Sequence, residues 1–191
     1  MKLNLSITVL FLFIGLSGVN AQKISTGIEG GIGITDLQEY PNETHESNIK
    51  PSFSLNYYVS YKLNKLLSIS IEPGFITKSD IGNHTSINFQ TPISLEYKII
   101  DKIHLIAGPD FEYRLTKDYF YDINRFYIGI QTGIYYSLND KIDLGIKGGK
   151  SFLGIFKDNT ITLSDENGEF IENIKWNLYP YYTHLFVRYR F

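Results

Sequence analysis

The chain of 191 residues has no cysteine and only one Trp and one Met. Without thiols there can be no disulfide framework, no thiolate metal site and no cysteine nucleophile. An excess of charge of one sign is also missing. Lys and Arg total 18 against 20 Asp and Glu, a net charge of −2, so nothing draws the chain as a whole to nucleic acid or another polyanion. Apolar runs long enough for a spanning helix are absent too: the stretch from Leu5 to Leu16 is about half of the roughly 20 residues needed. What is abundant is aromatic. The 15 Tyr and 13 Phe suit strands and interfaces better than helices, and the length suits one domain or two very small ones.

The first residues read as a secretory signal. Lys2 gives the charged start, Leu5 to Leu16 the apolar core, and Val19-Asn20-Ala21 the small-residue cleavage site. The expectation is a cleaved signal peptide over residues 1–21 and one domain over residues 22–191.

From Lys23 onward apolar residues recur at every second position, the mark of strands with one apolar face. The apolar rows of the first four segments are Ile24 to Ile34, Phe53 to Tyr61, Leu67 to Phe75 and Ile87 to Tyr97. Four more run Ile103 to Tyr113, Phe126 to Tyr136, Ile142 to Ile146 and Tyr179 to Phe191. Short links at Asn64-Lys65, Asp101-Lys102 and Asn139-Asp140 alternate with long polar ones over 36–50, 77–85, 116–125 and 157–176. The longest link holds a hairpin signal, Asn167-Gly168, between Thr160 to Ser164 and Glu169 to Ile174. Together these features predict an all-β fold: an eight-stranded antiparallel up-and-down transmembrane β-barrel with short periplasmic turns and four longer extracellular loops.

Period two alone does not decide which face is outside, since a lipocalin-like soluble barrel binding an apolar ligand obeys it as well. Three features favour a membrane. Aromatics flank the apolar rows: Phe53 with Tyr61, Phe89 with Tyr97, Phe126 with Tyr136, Tyr181 with Tyr189 or Phe191. Their separations correspond to roughly 20 to 25 Å of height, the span between two interfacial girdles. The polar face carries six acids (Glu29, Glu72, Glu96, Asp110, Glu112, Asp143) and six bases (Lys62, Lys98, Arg114, Lys147, Arg188, Arg190), which can neutralise one another in a narrow interior. The chain ends on the row Leu185, Val187, Tyr189, Phe191, which looks like the terminal signal read by the barrel assembly machinery of the outer membrane.

Gln90-Thr91-Pro92-Ile93-Ser94-Leu95-Glu96-Tyr97-Lys98 with Ala107-Gly108-Pro109 resembles the core motif of the outer-membrane β-barrel proteins common in Bacteroidetes, the PorT-like or "porin family" group. Gly27 to Leu37 and Glu72-Pro73-Gly74-Phe75 resemble that group's first and third strands. Gln90 stands where the group has an acid and Thr91 where it has an aliphatic residue. The resemblance implies an eight-stranded barrel in the cell outer membrane.

The interior of such a barrel is only wide enough for side chains, so its inward charges are expected to form a plug of ion pairs rather than line a channel. His184, on the same face, is expected to hydrogen-bond an acid such as Glu29. A lipid A-modifying enzyme would need a Ser-His-acid grouping. His45 and His84 fall in long links and His104 beside a short one; His84 has Asp80 and Ser86 near it in sequence, without the geometry that catalysis requires. Asp165, Glu166, Asn167 and Glu169 miss the EF-hand spacing, and no cofactor or metal is expected. The first and fourth long links are acidic (Asp36, Glu39, Glu43, Glu46; Asp158, Asp165, Glu166, Glu169, Glu172) and hold Tyr40, Phe170 and Trp176. Loops on a rigid barrel are where binding resides, so the reading is a structural or surface-interaction protein with lipid, lipopolysaccharide and the assembly machinery as partners. It is expected to be a monomer with no nucleic acid ligand.

Overall fold

The computed structural model describes residues 23–40, 49–80, 84–116, 123–156, 160–164, 170–175 and 177–191. The expected signal peptide and the loop residues Glu43, His45, Glu46, Asp158, Asp165, Glu166, Asn167, Glu169 and Trp176 lie outside them.

Eleven strands are present among the described residues: β1 (Ile24–Tyr40), β2 (Lys50–Lys62), β3 (Leu67–Ile71), β4 (Gly74–Ser79), β5 (Thr85–Ile100), β6 (Ile103–Arg114), β7 (Phe126–Ser137), β8 (Ile142–Ser151), β9 (Thr160–Ser164), β10 (Phe170–Lys175) and β11 (Asn177–Arg190). β9 and β10 pair with each other on either side of the expected Asn-Gly turn. The other nine form one antiparallel sheet that closes on itself, because β1 pairs with β2 on one side and with β11 on the other. Ile28, for example, faces Tyr57 across one ladder and Tyr189 across the other.

Nine strands rather than eight make this ring, because the third pass is divided at Glu72-Pro73. Proline has no N–H to give to a ladder. The divided pass nevertheless keeps its place. Val59 faces Ile71 before the break and Asn56 faces Gly74 after it, the same register; Tyr57 N donates to Pro73 O and Glu72 N to Pro92 O. The ring therefore has eight passes with one hinge in its hydrogen bonding. The pass also runs farther than its alternation suggests, to Ser79, so Lys78 lies on a strand and not in the expected link.

The three short links gather at one end, where two of them close by the same device. Asn64 Oδ1 accepts from Leu66 N and Leu67 N, and Asn139 Oδ1 from Lys141 N and Ile142 N. An Asn side chain that imitates a backbone acceptor makes a tight turn without glycine.

The apolar rows face outward. Ile32, Leu55, Phe75, Leu95, Ile130, Ile146 and Leu185 are all exposed, whereas the polar rows between them are buried. A lipocalin-like barrel needs the opposite arrangement, so that alternative loses its structural basis. Among the described residues most buried apolar side chains gather in two clusters, with Tyr58, Ile76 and Tyr182 buried apart from them. Leu37, Ile123, Tyr127, Ile155, Phe156 and Leu178 pack together at the long-loop end, and Ile106, Tyr135 and Phe186 pack lower down. The first cluster forms because residues 152–156 turn back over the ring. Asn124 N donates to Ile155 O and Ile155 N to Leu178 O, while the Asn177 amide brackets the Phe156 backbone, accepting from its N at 3.0 Å and donating to its O at 3.0 Å.

Candidate functional site

The polar faces of six passes converge on one cation. Arg188 on β11 lies opposite Glu29 on β1 and Asp143 on β8. Its Nη2 donates to Glu29 Oε2 at 2.8 Å and to Glu72 Oε1 at 2.9 Å, and its Nη1 to Glu96 Oε1 at 3.2 Å. Lys147 on β8 donates to Glu72 Oε2 at 2.8 Å and to Glu29. The guanidinium also sits 3.7 Å from the centre of the Tyr58 ring, whose hydroxyl donates to Glu96 Oε2 at 3.0 Å. Arg188, Glu29, Glu72 and Lys147 are no more than 1% exposed. Charges so far from water hold together only when each has a partner, since an isolated one costs several kcal/mol or more.

Toward the long-loop end the ions pair singly. Lys78 bonds Glu112, Arg114 bonds Asp80, and Asn88 Nδ2 donates to Glu112 Oε2 at 2.9 Å. Lys78 and Asp80 are not among the six acids and six bases expected inside. Ile76, buried on the polar face, interrupts the alternation just before them; the signal that continues through it is the phase of Glu72, Gly74, Lys78 and Asp80. Asp110 is the exception in this layer. Its Oδ2 lies 3.2 Å from the Tyr182 hydroxyl, and among the described residues its Oδ1 has no hydrogen-bond partner and no cation forms an ion pair with it.

The expected balance of six acids and six bases is therefore corrected. Lys62 is exposed, and half-exposed Lys98 reaches out to Asp101 at 3.0 Å. Arg190, partly exposed, holds Asp143 at 2.7 Å. With Lys78 and Asp80 added, the described interior has seven acids against five bases. The surplus sits in the Arg188 cluster, where three Glu share two cations, and at Asp110.

His184 does not meet Glu29. Its Nε2 lies 2.7 Å from Ser52 Oγ and its Nδ1 3.0 Å from Ser54 Oγ. Register is the reason: His184 faces Gly33, four positions along β1 from Glu29. Glycine is required there, since a Cβ on Gly33 would fall 1.8 Å from Thr183 O, and one on Gly31 2.5 Å from Ser54 Oγ. With both ring nitrogens on serine hydroxyls, His184 has no acid to orient it as a base. Asp80, expected near His84, is taken by Arg114; Lys50 Nζ donates to the His84 carbonyl. Among the described residues no group of three or more His, Asp or Glu could hold a metal ion.

On the outside, Phe53, Phe89, Tyr97, Phe126, Tyr136 and the terminal residues Leu185, Val187, Tyr189 and Phe191 are exposed, and Tyr61 and Tyr181 half-exposed. The register lines up Phe75, Phe89, Tyr113 and Phe126 across four adjacent passes, so Phe75 and Tyr113 join the expected aromatics of the long-loop end. Tyr181 differs from the rest because its hydroxyl donates to Asp36 Oδ2 at 3.2 Å.

No protein-family model matches the chain, and no curated protein matches its sequence. Among solved structures, the chain is similar to Ail, the attachment invasion locus protein of Yersinia pestis, with a TM-score of 0.50 at 8% identity over 88% of this chain and 99% of that one. It is also matched to Neisserial surface protein A (TM-score 0.49, 11% identity, 87% and 97% covered). A third match is OprG of Pseudomonas aeruginosa (TM-score 0.43, 9% identity, 88% and 94% covered). At this identity the likeness to Ail is one of fold.

Proposed function

We propose that the chain is an integral outer-membrane β-barrel protein, exported through a cleaved signal peptide over residues 1–21, with a closed interior and a structural or surface-interaction role exercised by its long loops. The observation that carries this reading is the inversion of polarity, with exposed isoleucine, leucine and aromatic rows around the whole ring and buried ions within it. Water tolerates exposed apolar patches of a few hundred Å² at most. Lipid requires such a surface, and requires also that every strand be paired on both sides. Phe53, Phe89, Phe126 and Tyr181 would meet one interface, and Tyr61, Tyr97, Tyr136 and Tyr189 the other. The row ending at Phe191 would be the signal for barrel assembly.

The reading extends to a monomer of the PorT-like group that contacts lipid and lipopolysaccharide and performs no catalysis. Its test is gel migration of membrane-extracted protein. A folded band that shifts only on boiling is the expected result, and full solubility without detergent would sink the proposal. Planar bilayers test the closed interior separately: no steady pore is expected, and nanosiemens-scale openings would overturn it.

A further inference from the structure

The interior is filled by the apolar cluster at the long-loop end and by ion pairs at mid-height, but at the short-turn end it opens into a cavity of about 490 Å³. That is the size of a small-molecule site. Tyr58, Tyr135 and Glu96 belong to its lining, and the His104 ring lies stacked on Tyr135, with centroids 4.5 Å apart and planes within 3°. Six bases line it, Lys23, Lys62, Lys65, Lys98, Lys102 and Arg190, against three acids.

Two of those acids are already engaged. Glu96 accepts from Arg188 and Tyr58. The Lys98 ammonium bonds Asp101, which holds that carboxyl below its ordinary value. Four of the bases make no ion pair among the described residues: Lys23, Lys62, Lys65 and Lys102, the last lying over the Tyr136 ring at 5.8 Å from its centre. Arg190 adds a second, independent sign, because its Nε is buried without a hydrogen-bond partner although its Nη2 holds Asp143. Cations crowded around a half-enclosed space repel one another, and an anion relieves them all.

We propose that this cavity binds a small molecule bearing phosphate or carboxylate, which enters from the short-turn end. Lys23, Lys62 and Lys65 hold the anionic group, and the Tyr135–His104 stack carries its ring or apolar portion. The proposal rests on the cavity and its charges, not on what surrounds the outer face.

The test is calorimetric titration of inorganic pyrophosphate into the full, detergent-solubilised chain. Saturable binding is expected, about tenfold weaker or more in the combined variant Lys23→Gln, Lys62→Gln, Lys65→Gln, and unchanged in Lys50→Gln at the opposite end. These lysines make no buried contact, so the variants should keep the folded band on gels, which separates this test from that of the membrane reading. No saturable binding at millimolar pyrophosphate, or equal binding by all variants, would overturn the proposal. Repeating the titration in phosphatidylglycerol and phosphatidylcholine nanodiscs identifies the source of the anion. Competition by phosphatidylglycerol assigns the site to a lipid headgroup, and unaltered binding assigns it to a free solute.

Discussion

The two ends of the ring solve the same problem by different physics. At the short-turn end the backbone is economical, with hairpins closed by Asn64 and Asn139, while the interior is charged and partly hollow. At the long-loop end the backbone is extravagant, yet the interior is a packed apolar cap in which residues 152–156 are pinned by Asn177 and Leu178. Between them lies the Arg188 cluster, where every charge depends on another. Strand pairing fixes the wall but not what fills it. The filling follows from whether chain is available to fold back inside.

The comparison can be broken first at its centre. Arg188→Met leaves Glu29, Glu72 and Glu96 with Lys147 alone, and should cost about 3–5 kcal/mol, measured as the urea midpoint of the boil-sensitive band. A cost below that of any cap substitution would invert the ranking. In the cap, Ile155→Ala removes a fully buried side chain from the apolar cluster and should cost about 2–4 kcal/mol in the same assay. At the short turns, Asn64→Ala and Asn139→Ala each leave two N–H groups that water can reach, so a loss of about 1 kcal/mol apiece is expected, additive because the turns are separate. The smallest effect has the opposite sign. Asp110→Asn removes an interior acid that makes no ion pair among the described residues while keeping its shape, and should be neutral or stabilising by up to about 1 kcal/mol. A large loss there would mean that the carboxylate has a partner it needs.

How much was legible depended on whether a residue's environment follows from its own strand. β6 and β7 begin and end where their alternation does, because turn residues stop both pattern and pairing at Asp101-Lys102 and after Ser137. The inward and outward faces were legible for the same reason. The partner of His184 was not, since it depends on how three strands slide past one another, and only the pairing of His184 with Gly33 reveals that serines occupy the space. Lys78 was lost because one buried isoleucine interrupted a period-two row. The cap was invisible to periodicity altogether: residues 152–156 have no period, and their place is set by an amide twenty-one positions later. The cavity was legible only in part: Lys62, Lys98 and Arg190 stand on the polar rows of their strands, but Lys23, Lys65 and Lys102 lie outside the strands and join them only when the ring is closed.

That closure has a temporal consequence. Glu29 and Arg188 are 159 positions apart, and the first strand finds its second neighbour only in the last. Until β11 arrives, β1 and β8 remain open edges and Glu29, Glu72 and Glu96 lack the guanidinium they share. Folding so dominated by distant contacts is slow and cooperative, and the final fifteen residues act as a latch: a chain cut before them would keep most of its hairpins and still be unable to finish.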